Sequence, residues 1–158
     1  MQIFKLDSPV EDSVTGVSGT LTHATINMDG HVKYIFQPKG LNPSTQTPVD
    51  RIFVEPSRIK KGKLEEVDIP LHYLGEQAED TTSGFKGTIT ALIIHLGNCI
   101  HAEIKPKGII ESTGATIEAH EFDIRRLKGP KIKPLSEKAK KTSEQKTPSP
   151  TSYKGTKR

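Results

Sequence analysis

His95, Cys99 and His101 are the residues whose types and spacing come nearest to a metal cluster. Cys99 and His101 stand two apart, so on a strand they share a face, and His95 can approach them across a hairpin. Tetrahedral zinc wants four protein ligands, or three and an open position, and no CxxC or HxxxH pair supplies the remainder. The positions 68 residues earlier hold Asn27, His31 and Lys33, which cannot reproduce the set. The expectation is solvent-facing strand residues, with no metal and no cofactor. Glu55, Glu121 and Asp123 are the carboxylates placed for acid/base work. A contact to Arg58 or Arg126 is the simpler expectation for them. No Ser-His-Asp order or Cys-His arrangement stands out, so neither catalytic residues nor enzymatic activity are expected.

The glycines offer a second candidate chemistry. "TGVSGTLT" at Thr15–Thr22 is matched by "SGFKGTIT" at Ser83–Thr90. A phosphate-cradling loop wants a helix after its glycines and usually a Lys-Ser/Thr pair. Here a β-branched run follows, so Gly16, Gly19, Gly84 and Gly87 read as architecture. The first of each pair suits a turn with positive φ, the second a bulge or sharp strand bend.

That match extends along the chain. At a constant offset of 68, residues 12–60 align without a gap on 80–128, and thirteen of the 49 positions are identical. The chain is a duplicated unit. Each copy reads as short strands: "GTLTHATIN" and "GTITALIIH", then His31–Pro38 and Cys99–Pro106, joined by the turn compositions Met28–Gly30 and Leu96–Asn98. Val32, Tyr34, Phe36, Ile100, Ala102 and Ile104 alternate onto one face and form the expected core. A variable loop follows (Leu41–Val49, Ile109–Ile117), then short strands at Arg51–Val54 and Ala119–Phe122. The first strand is expected at Ile3–Leu6 in one copy and in the later part of Leu64–Asp80 in the other. No window shows convincing helical periodicity. The expected fold is all-β: two tandem small SH3-like barrels, 1–62 and 63–128, the latter including a linker, with a basic tail of disordered type at 129–158.

Units of about 60 residues are close to the minimum for an adequate core, so they must lean on each other, on a partner or on copies of themselves. The net charge of +4 conceals an asymmetry. From Gly129 onward nine Lys/Arg face two Glu, a net of +7, whereas the first 128 residues carry 14 Lys/Arg against 17 Asp/Glu, a net of −3. Basicity therefore belongs to the tail, where Lys131, Lys133, Lys138, Lys140, Lys141 and Lys146 are the candidate partner-binding residues. A single Cys99 suits a reducing compartment. "MQIFKLDSPVEDS" lacks the basic and apolar regions of a signal peptide, and the longest apolar stretch, Ala91–Ile94, is far too short to span a membrane.

The second copy resembles a family of short uncharacterised bacteriophage and prophage proteins. Their pattern is a Thr-Gly-Phe-x-Gly turn, a Val-Thr-Ala strand, a Leu-x-Gly hairpin, a strand ending in Pro and a closing Phe-Asp-Glu-x-Arg-Leu segment. Phe85, Gly87, Thr90, Ala91, Leu96, Gly97, Pro106, Phe122, Asp123, Arg126 and Leu127 match it. The first copy departs at Val17 and at Asp29-Gly30. The resemblance implies phage origin; small tandem β modules, mildly acidic with a basic tail, are in turn expected to serve as a non-enzymatic virion component made in the host cytoplasm. A capsid decoration protein is the favoured form, with the major capsid protein, other virion proteins and copies of itself as partners. A weaker likeness to KOW motifs implies the alternative, nucleic-acid binding with phosphate contacts from the tail.

Overall fold

The computed structural model describes residues 1–132, and these are all-β: twelve strands, antiparallel wherever they pair, with only short 3-10 turns between some of them. Among the described residues no helix is long and apolar enough to cross a membrane. In the first copy the strands are β2 (Pro9–Asp12), β3 (Ser18–Asn27), β4 (Val32–Pro38), β5 (Ile52–Val54) and β6 (Ile59–Lys60). In the second they are β8 (Gln77–Asp80), β9 (Lys86–His95), β10 (Ile100–Lys105), β11 (His120–Asp123) and β12 (Leu127–Lys128). The spatial order is β6–β2–β3–β4–β5, repeated as β12–β8–β9–β10–β11. A 3-10 turn joins the last two strands of each copy, at Pro56–Arg58 and Ile124–Arg126.

The 68-residue offset thus carries over from sequence to structure strand by strand. The first strand of copy one is corrected: it is Pro9–Asp12, the counterpart of Gln77–Asp80, and not Ile3–Leu6. Asp7 takes a positive φ of 58° and turns the chain between β1 (Gln2–Phe4) and β2. The N-terminal strand β1 pairs instead with β7 (Leu64–Glu66) of the connector, while Ile3 and Leu6 enter the core.

The two copies are one sheet. The first part of β3 pairs with β2, and its second half, His23–Asn27, pairs with β9. This seam is centred on Thr25 opposite Ile93, which are counterparts under the offset. On either side His23 faces His95 and Asn27 faces Ala91, so each cross-strand pair is the other with its halves exchanged. The copies are therefore related by a pseudo-twofold axis through the Thr25–Ile93 pair, the geometry of an isologous dimer inside one chain. Ala24, Ile26, Leu92 and Ile94 at the seam are buried, and one hydrophobic cluster runs from Ile3 to Ile132 across both copies. Leaning on each other is how two undersized cores become one.

The expected core face is correct for Tyr34, Phe36, Ala102 and Ile104, while Val32 and Ile100, next to the hairpins, are only half-buried. Gly16 and Gly84 do occupy turns with φ of 70° and 74°. The second glycines play a different part from the one expected. A Cβ on Gly19 or Gly87 would collide with the backbone oxygen of Gln37 or Lys105, so these residues permit a close approach of β4 and β10. The bulges lie three residues later, at Thr22 and Thr90, where the register shifts. There the threonine hydroxyls donate to the carbonyls of Ile35 and Glu103.

Candidate functional site

Each copy is closed by the same ion pair. Asp12 and Asp80 end their first strands with fully buried side chains. Arg58 approaches Asp12 through Nε to Oδ1 at 2.9 Å and Nη2 to Oδ2 at 2.6 Å, and Arg126 approaches Asp80 at 2.9 and 2.8 Å. The Thr15 and Ser83 hydroxyls donate to the same carboxylates at 2.6 Å. Hydrogen bonds from Arg58 and Thr15 hold the Asp12 carboxyl well below the usual range against the opposing effect of burial. Burial pushes Asp80 up more strongly, yet the bonds from Ser83 and Arg126 outweigh it and bring the carboxyl to about 2. This corrects the expected arginine contacts: Arg58 and Arg126 pair with aspartates from the opposite end of each repeat, not with Glu55, Glu121 or Asp123. Asp123 is held by Arg125.

The histidines gather on the outer face of the sheet beside the seam. β9 supplies His95, β10 supplies His101 and β11 supplies Glu121. His95 Nε2 and His101 Nδ1 each lie 2.7 Å from the same Glu121 Oε1. The two imidazole rings are 4.4 Å apart, and across the seam the His23 ring meets His95 edge-on at 4.5 Å. Side-chain exposures of 25% for His95, 29% for His101 and 41% for Glu121 describe a half-buried cluster. Burial pushes Glu121 up, but the hydrogen bonds from both histidines prevail and keep it ionised below the usual range. Burial also pushes His23 down, with repulsion from His95 and Arg51 adding to it.

Two donor sets result, His95–His101–Glu121 and Cys99–His101–Asp123, each with its donor atoms within 4.8 Å of one another. They share His101. The second is compromised, because Asp123 is already engaged by Arg125 from two sides. Sequence reading placed His101 correctly between His95 and Cys99, but the structure parts those two into different donor sets; it also gave Glu121 to arginine and overlooked His23. Glu121 was within reach of pattern alone. It stands two residues from Asp123 on an alternating strand, on the same face.

Among the expected tail residues, Lys131 donates to Glu76 Oε1 at 2.8 Å as an exposed pair, and nearby Ile132 is buried. Lys133, Lys138, Lys140, Lys141 and Lys146 lie outside the described residues. An open groove between β8 and β12 is lined by Glu79, Lys86 and Lys128, but both lysines pair with Glu79 at 3.1 Å. It offers no poised nucleophile or base. No protein-family model, curated protein or solved structure matches the chain.

Proposed function

We propose that each repeat is a small SH3-like barrel and that the fused pair is a non-enzymatic docking protein of a bacteriophage particle, of the capsid-decoration kind. The strand order with a 3-10 turn before the last strand supports the barrel reading. The observation that carries the functional reading is the outer surface of the pseudo-symmetric sheet. Among the described residues β5 pairs only with β4 and β11 only with β10, which leaves one outer edge free at each end. On β5, Phe53 is 68% exposed and Ile52 is also exposed, an apolar edge of the kind used to add onto a neighbouring sheet. An outer edge at each end, apolar on β5 and polar on β11, suits a protein that bridges neighbours in an ordered lattice. The major capsid protein is the partner this reading favours, with the basic tail docking on acidic surfaces.

Mass spectrometry of purified virions tests it, and the expected result is many copies per particle. Particles lacking the protein should take it up from solution, and Phe53→Asp should reduce that uptake. Absence from virions overturns the reading. Salt-sensitive binding of DNA that disappears with residues 133–158 would put the KOW-like reading in its place.

A further inference from the structure

The geometry points to a binding site for a divalent transition-metal ion of the zinc type, held by His95 Nε2, His101 Nδ1 and Glu121 Oε1. Two imidazoles and a carboxylate are a donor set that suits zinc and its borderline neighbours, with a fourth position left for water or a partner's side chain. In such a shell the donors stand roughly 3.3 Å apart, as ligand bonds of about 2.1 Å require. Both imidazole nitrogens now lie 2.7 Å from the same carboxylate oxygen, so each of these two separations must open by roughly 0.6 Å. The cluster is half-buried, with each of its three side chains partly reached by solvent, and the His23 ring packs against His95.

The chain carries its own control. Under the pseudo-twofold axis the counterparts of His95, His101 and Glu121 are Asn27, Lys33 and Phe53. The same sheet position is therefore built without any of the three donors, and the fold does not need them. Three different strands nevertheless deliver ligands to one point in the second copy. A bound ion would tie β11, an outer strand, to β10 and to the seam strand β9. This site is independent of the docking reading and would stand if that reading failed.

The test uses the full chain after chelator treatment, titrated with Zn²⁺ by calorimetry and with Co²⁺ by visible absorption. The expected result is one ion per chain, a Co²⁺ spectrum of tetrahedral character and a raised melting temperature in excess Zn²⁺. Glu121→Gln should weaken binding at least about tenfold. The triple variant His95→Asn, His101→Lys, Glu121→Phe transplants the first copy's residues and should abolish binding while circular dichroism stays that of the parent. His31→Ala and His72→Ala, at exposed histidines, should change nothing. Absence of saturable binding overturns the site, as does binding that survives the triple variant. If the triple variant does not fold, unchanged affinity in Glu121→Gln overturns it alone.

Discussion

Asp80 and Arg126 decide how the second repeat closes, and their chemistry can be read in acid. The Asp80 carboxyl at about 2 lies below the ordinary unfolded value of about 3.9. Its contribution to stability is therefore fully present above pH 4 and is lost as pH falls toward 2. Asp12 is lowered in the same direction, so both locks weaken over the same acidic range. Asp80→Asn should lower the melting temperature by several degrees at pH 7, and the gap from the parent should narrow as the pH is taken below 4. A gap that stays constant with pH would deny the linkage. The equivalence of Asp12 with Asp80 and of Arg58 with Arg126 was legible from the duplication. That the two form one pair was not, because 46 residues separate them and only the folded chain brings them together. The histidine cluster was half legible for the same reason. Hairpin neighbours show in spacing, whereas Glu121 and His23 arrive from other strands.

The strands obeyed their alternation closely enough for β3, β4, β9 and β10 to be found by pattern, and β2 was misplaced because the N-terminal segment has strand composition too. What composition concealed was the purpose of Gly19 and Gly87. Neither needs a positive φ. Both lie where a strand passes over the backbone of its neighbour. Gly87→Ala should thus cost about 1–3 kcal/mol or more through forced displacement of Lys105, measured by urea denaturation. Gly84→Ala, with φ of 74° and open space around its Cβ, should cost about 1 kcal/mol from backbone strain alone. The reverse order would mean that the strand crossing is looser than the distances imply. Phe53 shows the complementary limit. Alternation assigns it a face, but only the sheet's outline reveals that this face looks outward from an edge strand.

At the scale of the whole molecule, a continuous core and a shared sheet predict one unfolding event. Calorimetry should give a single transition whose measured enthalpy agrees with the van't Hoff value. Leu92→Ala at the seam should cost about 2–5 kcal/mol and lower that transition without splitting it. Two transitions would mean that the repeats unfold independently. The seam also bears on how such a molecule can change over time. In a dimer of identical chains every substitution is made twice, once on each side of the axis, and a residue useful on one side is imposed on the other. Joining the copies in one polypeptide removes that constraint, so each side can be altered singly. Histidines and a glutamate now stand where the opposite side has Asn27, Lys33 and Phe53. The symmetric frame has become a body with a distinguishable left and right.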